Sequence, residues 1–183
     1  MALLASVSIG AVYVATESER LDVRADLRAV ADLYDLTVGL SNAIRDQEAG
    51  VDDYLLSEDP DAVARYGAGL ETELRLTERM HQVALVVSES PAIAPALDAL
   101  TTESRAWREG FAKPAIAAVD HGSKAELSKM IDLVATDQEP TLAGVGELIA
   151  QITAAQAAVE LREDALTEAR AIKIGRASCR ERV

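Results

Sequence analysis

The chain has few of the residues on which disulfide scaffolds, metal sites and aromatic cores depend. Its 183 residues include one cysteine, two histidines and one tryptophan, and aromatic residues make up only 3% of the total. A single cysteine forms no disulfide within the chain and no cysteine-rich metal site. With 49% hydrophobic residues, the core must consist of Ala, Leu, Val and Ile, a composition that favours helices.

Basic residues are scarce relative to acidic ones. The chain has 18 Lys and Arg against 31 Asp and Glu, a formal net charge of -13 at pH 7. Proteins bind nucleic acid largely by placing Lys and Arg against phosphates. This charge balance therefore argues against a nucleic-acid partner.

The two ends of the chain differ from the rest. Residues 2–16, ALLASVSIGAVYVAT, carry no charge, but a membrane-spanning helix needs roughly 20 apolar residues. We interpret residues 1–16 as the end of a truncated transmembrane helix, in preference to a signal peptide or a buried helix start. Residues 174–183, IGRASCRERV, resemble a translated sequencing adapter, so this tail is treated as non-native and left out of the fold prediction.

Residues 17–173 are predicted to form long helices. Along the first, about 17–56, apolar residues at steps of three, four or seven share one face: Val23, Leu27, Val30, Leu33, Leu40, Ile44, Val51 and Leu55. At the sequence SEDP, Asp59 suits an N-cap and Pro60 suits the first position of a second helix. The residues of that second helix expected to face inward are Val63, Tyr66, Leu70, Leu74, Thr77 and Ala84.

A third helix is predicted from residue 91 to about His121, where Gly122 and Ser123 suit a stop and a new N-cap. Its inward residues would be Ile93, Leu97, Leu100, Ser104, Trp107, Phe111 and Ala118. The last segment begins near Lys124 and is interrupted before Pro140. It then alternates steps of three and four, typical of knobs-into-holes packing, through Leu142, Val145, Ile149, Ile152, Gln156, Val159, Glu163 and Leu166.

Four long segments joined by short turns predict an all-α fold. The economical arrangement is an up-down-up-down four-helix bundle with long first and last helices. An even number of passes returns the chain to the face on which it started, so the first and last helices should have their outer ends at the same pole.

Residues 45–66 resemble the signature of the CHASE3 domain, an extracytoplasmic sensory module of bacterial membrane receptors. The matching residues are Arg45, Asp46, Glu48, Gly50, Tyr54, Leu55, Leu56, Asp59, Pro60 and Tyr66, with a weaker match at Trp107, Pro114 and Gly122. The resemblance covers about residues 27–170. It departs from the family at Asp52 and Asp53, where an arginine and a glycine are usual. Because Asp52 lies one turn after an inward Glu48, we expect one carboxyl group to have a raised pKa.

The resemblance implies a non-enzymatic sensory domain at the cell membrane, held outside the cytoplasm by the N-terminal helix. It would bind no cofactor or metal, form a homodimer, and respond to an unidentified small molecule or protein. Displacement of its last helix would pass the stimulus to a histidine kinase, diguanylate cyclase or chemoreceptor output region. The alternative is a membrane-tethered helical scaffold that docks partners and binds no ligand.

An acidic cluster around the first turn has two interpretations. Its carboxylates could bind a hard cation, or they could cap helices and favour a helix N-terminus. Capping is favoured because no EF-hand spacing is present. The residues are Asp52, Asp53, Glu58, Asp59 and Asp61.

Histidine and aromatic residues offer further candidates. His81 and His121 are far apart in sequence, which favours structural histidines over a zinc site. Glu48 and Asp52 could suggest acid-base catalysis, but nothing in the pattern indicates a pocket. Trp107 and Phe111, four residues apart, fit a core pair better than a ligand slot.

Overall fold

The computed structural model describes the backbone of residues 2–87, 91–134 and 139–180, and the side chains of residues 17–87, 91–123, 125–132 and 143–172. All regular structure in these residues is helical, so the predicted all-α class is confirmed. The elements are α1 (Ala2–Ser57), α2 (Pro60–Ala84), α3 (Ile93–Trp107), a π-helical segment (Arg108–Ala112), α4 (Lys113–Asp120), α5 (Lys124–Val134) and α6 (Glu139–Arg180).

The corner between α1 and α2 forms as its sequence predicts. Asp59 is the N-cap of α2, its Oδ1 atom accepts a hydrogen bond of 3.0 Å from the Asp61 backbone N–H, and Pro60 begins the helix. Proline is favoured at this position because its missing N–H would have no partner within the helix. Glu58 takes a positive φ of 56° to complete the turn.

A left-handed glycine separates α4 from α5. Gly122 has a φ of 63°, and the Ser123 N–H donates to the carbonyl oxygen of Ala118 at 3.2 Å. A glycine takes this conformation without the strain that a Cβ would add. The predicted break after His121 is therefore confirmed.

The long helices pack side by side. α1 contacts α2 and α6, and α3 also contacts both α2 and α6. α4 contacts α1 and α5 at the end where α1 turns into α2. α1 and α6 run in opposite directions, because Val23 lies beside Leu166, whereas Asp26, three residues later, lies 3.6 Å from Arg162, four residues earlier.

Buried apolar side chains form two clusters. The larger one, here called the main core, lies among α1, α2, α3 and α6 and is built on residues such as Leu33, Leu40, Met80, Leu97 and Leu148. The smaller one, the end core, lies near the α1–α2 corner. Its buried members are Val51, Leu55, Tyr66, Ala112 and Ala115, and Leu127 and Met130 of α5 pack against them.

The predicted inward faces are correct for α1 and shifted for α2 and α6. Every member of the α1 stripe is buried except Leu27, which is half-buried. On α2 the buried residues are Ala62, Tyr66, Gly69, Glu73 and Met80, whereas Leu74 is exposed. On α6 Leu148 and Ala155 are buried, while Ile149 is half-buried and Gln156 and Glu163 face solvent. Leu142 lies outside the described side chains.

The expectation of a transmembrane helix is wrong for the part of the chain that the structure describes. None of its helices combines the length and the apolar character needed to cross a bilayer. The uncharged run is short, and Glu17, Glu19 and Arg20 follow it within the same helix α1. The side chains of residues 1–16 and 173–183 lie outside the described set, so the non-native origin of residues 174–183 stays a prediction.

Candidate functional site

A layer of buried polar side chains lies between the main core and the end core. Its members are Gln47 on α1, Glu73 on α2, Ser104 on α3 and Arg108 at the start of the π-helical segment. None is more than 7% exposed. Charged side chains are rarely buried this far unless they are paired.

One carboxylate oxygen joins the members of this polar layer. Glu73 Oε2 accepts a hydrogen bond of 2.5 Å from Arg108 Nη1 and one of 2.7 Å from Gln47 Nε2. Arg108 Nη1 also donates to Ser104 Oγ at 2.8 Å, and Gln47 Nε2 lies 3.3 Å from the Ala43 carbonyl oxygen. Gln47 Oε1 is buried and accepts no hydrogen bond from the described residues. Glu73 thus connects α1, α2 and the π-helical segment.

A close approach of α1 and α2 accompanies this network. A Cβ atom on Gly69 would lie 2.8 Å from the Ala43 carbonyl oxygen and 3.1 Å from the Gln47 backbone nitrogen. Only glycine fits between the two backbones without displacing one of them. The short spacing lets the side chains of Gln47 and Glu73 meet directly.

The π-helical segment contributes Arg108 to the layer. Its defining hydrogen bond runs from the Lys113 N–H to the Arg108 carbonyl oxygen, five residues back. A π turn contains one residue more than an α turn and often occurs at functional sites. Arg108 and Ala112 are buried here, and Trp107 and Phe111 are half-buried, with ring centroids 6.0 Å apart.

Trp107 and Phe111 pack against the end core. Their position agrees with the interpretation as a core pair, at the edge of that core. The sequence predicted both side chains fully inward. The extra residue of the π turn rotates Trp107 and Phe111 towards the edge of the core and places Arg108 and Ala112 inward.

Several residues of the CHASE3-like signature meet at the α1–α2 corner. A Cβ atom on Gly50 would lie 2.7 Å from the Tyr66 backbone nitrogen, so this glycine sets the helix spacing. Leu55 and Tyr66 are buried together in the end core. Tyr54 donates to Asp120 Oδ1 at 2.6 Å, and this hydrogen bond to a carboxylate raises the pKa of the Tyr54 phenol.

Other signature residues contribute little to the interior. Arg45, Asp46 and Leu56 are exposed, and Pro114 is half-buried.

Glu48 was expected to point inward, but it is only half-buried and the adjacent Gln47 is the buried polar residue. The pKa of Glu48 is raised, chiefly by burial and then by Asp52, while Arg45 opposes the shift. The predicted raised carboxyl pKa is therefore confirmed, although burial contributes more than the like charge does.

The acidic cluster at the corner acts locally. Asp53 pairs with Arg65 at 2.6 Å on the surface, and Asp59 caps α2. In the described residues, no three His, Cys, Asp or Glu side chains are grouped so that they could hold a metal ion. Capping by Asp59 is confirmed.

His81 connects α2 to α3. Its Nδ1 lies 2.9 Å from the Thr77 carbonyl oxygen and its Nε2 lies 2.9 Å from Asp98 Oδ1. The hydrogen bond to Asp98 raises the pKa of His81, which outweighs the opposite effect of partial burial. His121 is the C-cap residue of α4, which follows the π-helical segment, whereas His81 contacts α3, which precedes it. These positions agree with structural histidines.

The sequence prediction placed Ser104 inward but missed Gln47, Glu73 and Arg108 as buried residues. Gln47 could have been found, because it fills the missing inward position between Ile44 and Val51 at steps of three and four. Glu73 also lies at steps of three and four from Tyr66 and Gly69, but an acidic residue on such a face is read as exposed unless its partner is known, and Arg108 is 35 residues away. The chain matches no protein-family model, no curated protein and no solved structure.

Proposed function

We propose that this chain is a sensory input domain, a four-helix bundle that passes a stimulus to an output region by displacement of α6 relative to α1. The observation that carries the proposal is that α1 and α6 lie side by side beyond the last fully buried residues described on α6. Arg162 Nη1 lies 3.6 Å from Asp26 Oδ2, and Val23 of α1 lines one shallow pocket with Leu166 of α6. Input and output helices that lie side by side can transmit a small slide or rotation.

The helix contacts support the bundle arrangement. α1, α2, α3 and α6 contact one another in a closed ring around the main core. Around the end core, α5 contacts α1 and α4, and none of the α6 side chains that the structure describes belongs to this core. In this proposal α5 and α6 together form the fourth member of the bundle, interrupted between them.

The length of α6 supports its role as the transmitting element. It has 42 residues, which at 1.5 Å per residue makes a rod of about 63 Å. Among its side chains described, 143–172, the last buried one is Val159, and Leu161 and Ile172 beyond it are at least half exposed. In this outer part Leu166 packs against the edge of the main core and Arg162 lies beside Asp26, so α1 would sense a displacement of α6.

The membership in the CHASE3 family and the location outside the cytoplasm are part of the proposal on the strength of residues 45–66 alone. The transmission step depends on neither.

A homodimer is likewise proposed, because exposed apolar residues such as Tyr34 and Val38 lie one turn apart on α1.

A scaffold that docks partners is the second candidate. The observation that favours it is the number of large apolar side chains at the surface of the helices and of the turn after α2: Leu21, Tyr34, Val38, Leu56, Leu74, Leu85, Val86, Leu161 and Ile172. Exposed apolar patches are typical of interaction sites. A scaffold would need no coupling between α1 and α6, and this difference allows a direct test.

The test joins residues 1–173 to the catalytic region of a histidine kinase and varies the junction. Inserting one residue after Arg170 rotates the downstream helix by about 100°, whereas inserting seven returns it close to its original phase. A sensory domain should change kinase output with the first insertion and restore it with the second. Equal output from the parent and both insertions would support the scaffold.

A further inference from the structure

The π-helical segment lies where the sequence supports two different inward faces. Upstream, Leu97, Leu100 and Ser104 are buried, and downstream Ala115 and Ala118 are buried. An α-helix that continued the steps of three and four from Ser104 would next place Trp107 and Phe111 inward. The structure instead takes two successive steps of four, to Arg108 and Ala112.

We propose that this segment is a two-state register switch, in which Arg108 and Ala112 exchange with Trp107 and Phe111 at the inward positions. The inference goes beyond the proposed function, since it concerns α3 and α4 and does not require an output region. Both registers are compatible with the flanking residues, because Ser104, Ala115 and Ala118 lie on the inward side in either one.

The Glu73 carboxylate selects the observed register. It accepts a hydrogen bond from Arg108, and without it the guanidinium would be a buried charge that keeps, among the described side chains, the Ser104 hydroxyl as its partner. Loss of one member of a buried ion pair changes an equilibrium constant by about 10²- to 10³-fold. An effect of that size is enough to reverse the populations of two closely balanced registers.

The alternative register has its own driving force. Trp107 and Phe111 are half-buried at the edge of the end core, where they already touch its apolar residues. Turning them inward removes large aromatic surfaces from water. The same rotation carries Arg108 outward to solvent, where its charge needs no partner.

The extra residue makes the exchange possible. Gly110 lies in the π turn, is exposed, and has no neighbouring atom within 4 Å of where a Cβ would lie. Deleting Gly110 converts the π turn to an α turn that keeps Arg108 and Ala112 inward. A chain without this residue should be locked in the observed register.

Trp107 is the only tryptophan in the chain, so its fluorescence reports the register directly. The variant Glu73→Gln keeps the shape of the side chain and removes its charge. We expect its emission to move to shorter wavelength and its quenching by acrylamide to fall, with helical content by circular dichroism unchanged. Glu71→Gln, an exposed position on the same helix, is the matched control and should leave the emission as it is.

The decisive measurement repeats Glu73→Gln in the chain that lacks Gly110. There the blue shift should disappear, because the aromatic residues can no longer turn inward. A shift of the same size in both backgrounds would mean a local change of polarity and would overturn the switch. Unchanged emission in the full-length Glu73→Gln variant overturns it, and so does loss of its helical content, because an available second register would relieve the buried charge.

Discussion

The Cβ position of Gly50 on α1 lies 2.7 Å from the backbone nitrogen of Tyr66 on α2. The next nearest atom, at 2.8 Å, is the Ala62 carbonyl oxygen, also part of the α2 backbone. Backbone atoms cannot rotate away as a side chain can. The spacing of α1 and α2 at the corner therefore depends on a missing side chain.

This contact predicts opposite effects at two glycines. Gly50→Ala should force the helices apart and lower the free energy of unfolding by about 1–3 kcal/mol, as for other overpacked sites. Gly67→Ala, at an exposed position on α2 with no neighbouring atom within 4 Å, should raise it by about 0.5–1 kcal/mol through better helix propensity. Urea unfolding measures both, and equal signs would contradict the close packing.

The buried pair predicts a strong loss when one partner is removed. Arg108→Met should lower the free energy of unfolding by about 3–5 kcal/mol, because Glu73 keeps a buried charge. The double variant Glu73→Leu with Arg108→Met should recover much of that loss. Arg105→Met removes an exposed arginine of the same helix and should change stability by less than about 0.5 kcal/mol.

A double-mutant cycle on urea unfolding of these variants isolates the interaction between Glu73 and Arg108. If the free energy of unfolding fell in the double variant by the sum of the two single losses, Glu73 and Arg108 would not be energetically coupled.

The packing of α6 predicts a difference between neighbouring residues. Leu148 is fully buried in the main core, and Leu148→Ala should cost about 2–5 kcal/mol by leaving a cavity. Ile149 is half-buried, so Ile149→Ala should cost less. Thermal unfolding followed by circular dichroism distinguishes them, and a larger effect at Ile149 would favour the face that the heptad pattern indicated.

The contact between His81 and Asp98 predicts a small dependence of stability on pH. Because the pKa of His81 is raised in the folded state, its contribution should be complete below about pH 6.5, the pKa of a free histidine. It should disappear as the pH rises through the raised pKa. Since both side chains are more than a third exposed, we expect less than about 1 kcal/mol.

The many carboxylates of the chain also titrate, so the measurement is the coupling between His81→Gln and Asp98→Asn in a double-mutant cycle. That coupling should be present at pH 5 and absent at pH 9. A coupling that did not vary with pH would show that the protonated histidine is not the stabilising form.

The sequence predicts the helices and corners because those features depend on local chemistry. Asp59, Pro60 and Gly122 act through their own backbone and nearest neighbours. The α1 stripe is equally readable, since its inward positions are almost all large apolar residues. For these elements a single helix carries the whole signal.

The remaining features depend on partners far apart in the chain. Glu73 is buried because Arg108, 35 residues later, neutralises it, and a pattern of apolar residues assigns such a position to solvent. Leu74, next to Glu73, was therefore taken as inward when it is outward. The sequence does not predict the π turn for a related reason. The extra residue lets Arg108 reach Glu73, whereas the apolar spacing of the sequence points to Trp107 and Phe111 as the inward residues.

A polar layer divides the interior, so the main core and the end core can unfold separately. The end core is small and is closed by the short helices α4 and α5, whereas the main core is closed by the long helices on every side. Backbone amides around the end core should accordingly exchange with deuterium through a partial unfolding that leaves the main core intact. The protein would then behave as two cooperative units that share the continuous rods α1 and α2.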